Sequence, residues 1–148
     1  MAKGKSKKKT KVTALRRPDR KETKIAPGPG LDGRPLWAFG HFDNDGDWCW
    51  SKIAEADAMT MVQRFKDFEG MTWTQIRRIR HNHFTDPTDI VRKAQNKLSD
   101  FGLYETNALF SMSMGGMKRL WGILLEDGVF RALWWDPRHE IYKSNKKP

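Results

Sequence analysis

The sequence predicts an α+β domain in which an antiparallel sheet packs on about three helices. The first observation behind this prediction is a run of three apolar, aromatic segments within residues 109–135. Gly115-Gly116 and Asp127-Gly128 separate the segments, and such pairs tolerate the positive φ angles of tight hairpin turns. The run therefore predicts a three-stranded antiparallel meander. The second observation is that apolar residues at helical spacing precede the meander.

An N-terminal hairpin is expected to extend this sheet. Aromatic residues cluster at 36–42 and at 48–50, on either side of the polar segment 43–47. That segment contains Asp45-Gly46, and Asp-Gly between two aromatic runs is a strong short-range hairpin signal.

Three helices are predicted between the hairpin and the meander, each from a capping signal followed by apolar residues on one face. The second helix is short and rich in arginine. His81 and His83 are expected in the loop that follows it. The start and stop signals are Ser51 and Gly70 for the first helix, Thr72 with Gln75 as a capping box for the second, and Asp86-Pro87 and Gly102 for the third.

The positive charge of the chain is concentrated at its N terminus. Residues 1–34 contain twelve Lys or Arg and three Asp or Glu, so they carry +9 of the formal net charge of +10. This composition cannot bury enough apolar surface to offset the entropy of ordering. We therefore expect residues 1–34 to be a disordered basic arm with a linker, and residues 35–148 to form the folded domain. Lys7, Lys8 and Lys9 are candidates for binding nucleic acid, and a purely solubilising tail is the alternative.

The sequence also predicts a cytoplasmic protein without a membrane partner. No apolar segment follows the basic start and no run of about 18 apolar residues occurs, so neither a signal peptide nor a membrane span is expected. The single cysteine, Cys49, fits a reducing compartment. The histidines have no strong metal-ligand spacing, so we expect neither a metal nor a cofactor.

One group of polar residues has the chemistry needed to cleave RNA without a metal. Such cleavage requires activation of a 2′-hydroxyl, stabilisation of the transition-state charge and protonation of the leaving oxygen. Strand alternation and a short turn at Asp136-Pro137 would bring these residues to one sheet edge. An ordinary basic edge without chemistry is the alternative. The candidate catalytic residues are Arg119, His139, Tyr142 and Lys143.

The meander also offers candidates for binding single-stranded nucleic acid. Adjacent residues on a strand cannot share a face, so either Trp134 or Trp135 is expected to point outward. An outward indole beside cationic side chains would stack on bases while the cations contact phosphates. Burial of both tryptophans is the alternative. The nucleic-acid-binding candidates in the domain are Lys118, Arg131, Trp135 and Arg138.

Over about residues 53–143, the chain resembles the RelE/ParE toxin superfamily. The resemblance is carried by helices before a strand with a glycine turn, by the segment 118–123, and by the C-terminal segment 139–143. It implies a small sheet packed on helices, with Arg119 as the arginine of the family's central strand and Tyr142 as its C-terminal tyrosine. His139 and Lys143 belong to the same C-terminal cluster. For ribonuclease members, the resemblance implies metal-independent cleavage of mRNA on the ribosome and neutralisation by an antitoxin protein.

The sequence thus favours a RelE-like toxin that acts as a metal-independent endoribonuclease on ribosome-associated mRNA. A second interpretation is a non-enzymatic module that binds nucleic acid or the ribosome through the arm and the basic sheet face. A third is a protein-interaction domain whose aromatic groove receives a partner helix or strand.

Overall fold

The structure, a computed structural model, describes residues 33–103 and 105–142. Lys7, Lys8 and Lys9 of the predicted arm, and Lys143, lie outside these described residues. Within them, no helix is long and apolar enough to cross a membrane.

In the described part of the chain, five strands form one mixed sheet in the order β1-β5-β4-β3-β2. The α+β class and the three-stranded meander are confirmed, because β3, β4 and β5 pair antiparallel in chain order. The prediction of an entirely antiparallel sheet is wrong, since β1 pairs parallel with β5. A short strand that the sequence pattern did not predict, β2, pairs antiparallel with β3. The strands are β1 (Leu36–Ala38), β2 (His83–Thr85), β3 (Leu109–Ser113), β4 (Arg119–Leu124) and β5 (Val129–Asp136).

The predicted N-terminal hairpin is also wrong, because its two aromatic runs bind to β5 instead of to each other. The first run supplies β1, which lies beside the start of β5. In the second run, the Trp48 carbonyl accepts a hydrogen bond from the Trp135 amide over 2.9 Å. Trp50–Lys52 then forms a 3-10 turn rather than a strand. Both aromatic runs therefore pair with the edge of β5 that β4 leaves free.

All three predicted helices form, with different boundaries. The capping box at the second helix is confirmed, because the Thr72 hydroxyl accepts from the Gln75 amide and the Gln75 side chain accepts from the Thr72 amide. The third helix begins later than predicted, since Pro87–Asp89 forms a separate 3-10 turn that the Asp86 side chain caps. The helices are α1 (Glu55–Phe68), α2 (Trp73–Arg77) and α3 (Arg92–Asp100).

Both faces of the sheet are buried. On one face, α1 and α2 pack their aromatic and aliphatic residues against β3, β4 and β5. On the other, α3, Trp48 and Ile141 of the C-terminal segment cover Trp121 and the rest of the second cluster. A register shift between β4 and β5 accompanies this packing. Trp134 and Trp135 are 0% and 1% exposed, so the prediction that one of them points outward is wrong.

Gly122 in β4 permits the close approach of β5 at the register shift. A Cβ atom at this position would lie 2.3 Å from the Arg131 carbonyl oxygen and 2.5 Å from Cζ of Phe130. Gly122→Ala should therefore lower the free energy of unfolding by about 1–3 kcal/mol through overpacking. Gly40→Ala is the matched control, because nothing lies within 4 Å of its added Cβ. Urea unfolding of the two variants checks this, and equal stabilities would contradict it.

Candidate functional site

The candidate site lies on the second face of the sheet and is formed by β2, the start of β4 and the C-terminal segment. His83 of β2 pairs in register with Ser111 of β3, which in turn pairs with Trp121 of β4. Because Trp121 belongs to the second cluster, this register puts His83 on the face that the C-terminal segment covers. The sequence-based assignment of His83 to a loop is therefore wrong.

Asn82 fixes the turn that leads into β2. Its side-chain NH2 donates to the Ile76 carbonyl over 3.0 Å, and its side-chain oxygen accepts from the Ser113 amide over 2.8 Å. The residue is 7% exposed, so these bonds act away from water. His81, just before it, has a φ of 74°, which turns the chain between α2 and β2. The buried amide thus joins α2 to β3 and fixes the backbone between His81 and His83.

Asp136 holds the C-terminal segment against the same region. It is 0% exposed, and its two carboxylate oxygens accept from the amides of Glu140 (2.8 Å) and Ile141 (3.0 Å). The Ile141 carbonyl accepts in turn from the Val91 amide at the start of α3 over 2.8 Å. His139 has a φ of 59° within this turn. These contacts fix the segment that carries His139 and Tyr142.

Three parts of the chain approach His83. The rings of His83 and Tyr142 lie 5.8 Å apart, edge to face. Burial lowers the pKa of His83 below its usual value, and a hydrogen bond with the Phe84 carbonyl partly opposes this effect. The positive charges of Arg119, His139 and His81 lower the pKa further. Of the predicted residues, Tyr142 therefore contacts a histidine that sequence reasoning left out, and Arg119 and His139 act on that histidine through their charges.

Nδ1 of His83 has two polar neighbours. It lies 3.3 Å from the Phe84 carbonyl oxygen and 3.1 Å from the Thr85 hydroxyl. In the tautomer with the proton on Nδ1, this nitrogen donates to the Phe84 carbonyl, which can only accept. The neutral ring then carries its lone pair on Nε2. With its lowered pKa, His83 has the form of a general base near neutral pH.

Arg119 contributes a guanidinium group that is only partly hydrogen-bonded within the described residues. Its Nη1 donates to the carbonyls of Gly116 (2.7 Å) and Lys118 (3.0 Å), whereas its buried Nε has no partner among the described residues. Burial lowers the pKa of the guanidinium and the negative charge of Asp136 raises it, but arginine stays charged in either case. Arg119 and Asp136 are register partners on β4 and β5. The bonds from Nη1 hold a positive charge two residues from Trp121 on β4, on the same face of the sheet as His83.

The predicted nucleic-acid contacts of the meander do not gather around His83. Lys118 forms a 2.6 Å ion pair with Asp57 of α1. Arg131 pairs with Ile123, five residues along β5 from Asp136 and thus about 16 Å away. Trp135 is buried, so it cannot act as a stacking platform in this structure. Arg138 is exposed and lines a separate cleft.

An apolar groove lies elsewhere, between α1 and the segment that follows β1. It has a volume of about 330 Å³, and the exposed Phe39, Trp50 and Val62 contribute to it. This groove is the feature that corresponds to the interaction-domain interpretation.

Within residues 33–103 and 105–142, no three His, Cys, Asp or Glu side chains come together in a way that would hold a metal ion. What the described groups can do is transfer protons and stabilise negative charge.

Searches against protein-family models, curated proteins and solved structures found no match to this chain.

The lowered pKa of His83 makes a prediction about stability. The unfolded ring titrates near 6.5, above the folded one, so the unfolded state binds more protons between the two pKa values. Stability is therefore fully present above about pH 6.5 and is lost as the pH falls toward the folded pKa. His83→Gln should flatten this decline, whereas His81→Gln, at an exposed position, is the control. Unfolding free energies across this pH range would contradict the assignment if both variants kept the wild-type slope.

Proposed function

We propose that this domain is a metal-independent endoribonuclease that cleaves mRNA, as the resemblance to RelE-like toxins implies. One observation carries the proposal: the ring of Tyr142 lies against His83, a histidine whose pKa is lowered by burial and by the positive charges of Arg119 and His139. These are the groups that cleavage through a 2′-hydroxyl requires. The ribosome and an antitoxin protein remain the proposed partners.

In the proposed reaction, Nε2 of His83 takes the proton of the 2′-hydroxyl, and the 2′-oxygen attacks the neighbouring phosphorus. The bond from phosphorus to the 5′-oxygen breaks, and that oxygen receives a proton from Tyr142 or His139. The products are a 2′,3′-cyclic phosphate and a 5′-hydroxyl. Arg119 offsets the extra negative charge on the phosphorane-like transition state.

A non-enzymatic binding module remains a second candidate because of the hydrogen bonds that Arg119 makes to the backbone. Arg119 donates twice to carbonyls of the turn between β3 and β4, as a purely structural arginine does. In that case, the polar cluster would hold nucleic acid and carry out no chemistry.

Four variants separate these candidates. His83→Gln, Arg119→Ala, His139→Ala and Tyr142→Phe should reduce cleavage of ribosome-bound mRNA much more than they reduce binding. Losing one positioned base, acid or charge stabiliser lowers the rate by about a hundredfold or more. Tyr142→Phe is the sharpest test, because it removes one hydroxyl and keeps the ring that contacts His83. Mapping of mRNA ends in a translation assay measures the effect.

His41→Gln is the matched control, since His41 lines a different cleft with Asp43 and Lys97. It should cleave at the wild-type rate. Because Arg119 is buried, thermal unfolding of Arg119→Ala, with Arg119→Lys as the milder change, distinguishes loss of fold from loss of chemistry. If the wild type never cuts mRNA, or if all four variants cut normally, the enzymatic proposal fails.

A further inference from the structure

The segment that leads into the site is strongly basic. No acidic residue occurs between Glu69 and Asp86, and the segment contains Arg77, Arg78 and Arg80. We name these three residues the arginine ridge. Arg77 is the last residue of α2. Arg78 and Arg80 lie between the helix and the turn that Asn82 fixes.

The arginine ridge is not neutralised by the described part of the protein. Arg78 and Arg80 are exposed, and none of the three forms an ion pair with a carboxylate within residues 33–103 or 105–142. By contrast, Lys93 and Lys97 pair with aspartates of the 43–47 loop, and Lys118 pairs with Asp57. Among the described residues, no carboxylate therefore offsets the charge of the arginine ridge, and Arg78 and Arg80 are open to solvent.

Part of the arginine ridge is also held in place. The Arg77 guanidinium lies 5.6 Å from the centre of the Phe84 ring, in a cation–π contact. Such a contact leaves the N–H groups of arginine available for a second partner, and their fork matches the oxygens of a phosphate. Phe84 belongs to β2, as does His83, so this contact ties the arginine ridge to the strand that carries the proposed base.

The arginine ridge and the site are close along the chain. Arg80 precedes His83 by three residues, so their Cα atoms are at most about 11 Å apart. His81 lies between them, and its positive charge lowers the pKa of His83. β2 is an edge strand, so within the described residues no further strand covers its outer side.

We infer that the arginine ridge binds the phosphates of single-stranded RNA and leads the strand to His83. Three arginines in four residues, with no described carboxylate paired to any of them, suit a polyanion, because a single small anion would leave most of their charge uncompensated. The choice of RNA over other polyanions rests on the proposed function, since the groups around His83 act on a 2′-hydroxyl. Arg78 and Arg80 are thus phosphate-binding residues, outside the catalytic cluster.

The test compares salt dependence of binding in the full chain. The probe is a short, mixed-sequence 2′-O-methyl RNA with a fluorescent label, which cannot be cleaved and so reports binding alone. Fluorescence anisotropy between about 50 and 200 mM salt gives the slope of log K against log salt concentration. The variants are Arg78→Gln with Arg80→Gln, and Arg92→Gln as the control, because Arg92 is exposed on α3.

The double variant should lower the magnitude of the slope by about 1.4, from about 0.7 for each phosphate contact on a single strand. The control should keep the wild-type slope, and the basic arm is the same in all three proteins. An unchanged slope in the double variant, or an equal loss in Arg92→Gln, would overturn the inference. So would loss of binding to an acidic peptide with no change for RNA, because the arginine ridge would then serve a protein partner.

The binding role of the arginine ridge and the proposed enzymatic activity can fail separately. If the slope falls but wild-type protein never cleaves mRNA, the arginine ridge stands as a binding site and the enzymatic proposal falls. If the slope is unchanged but His83→Gln abolishes cleavage, the reverse holds.

Discussion

The sheet is apolar on both faces, and the rest of the structure follows from the need to cover each of them. Helices α1 and α2 cover one face, and α3 covers part of the other. The second face is completed by Trp48 and by Ile141 of the C-terminal segment. Burial of Ile141 brings His139 and Tyr142 back over the sheet. The proposed site is therefore a consequence of how the core is closed.

Two buried polar groups convert this packing into a defined geometry. The Asn82 amide bridges α2 and β3, and the Asp136 carboxylate binds two backbone amides of the C-terminal turn. Leaving such partners unsatisfied away from water costs about 1–3 kcal/mol each, so alternative placements of the two turns are disfavoured. The Asn82 amide fixes the segment that contains His83, and the Asp136 carboxylate fixes the segment that contains Tyr142. These two attachments bring the rings of His83 and Tyr142 together.

Local signals predicted the meander, the capping box at Thr72 and the α+β class, since each depends on residues near one another in the chain. The failures are long-range. The pairing of β1 with β5 and the burial of Trp135 depend on which surfaces are free after the meander forms. His83 was missed because a three-residue strand carries little periodicity, although the alternation of His83, Phe84 and Thr85 fits one. Arg119, His139 and Tyr142 were proposed from their chemistry, from the resemblance and from the expected alternation of the strands, and their catalytic role stays a prediction.

The most direct test of the account is an NMR titration of the His83 ring in the presence and absence of the 2′-O-methyl RNA. A phosphate bound between Arg119 and His83 stabilises the protonated ring, so the pKa of His83 should rise when RNA is bound. The pKa of His41, beside a different cleft, should not change. If RNA binds and the pKa of His83 stays the same, the site does not receive the RNA backbone and the central claim is contradicted.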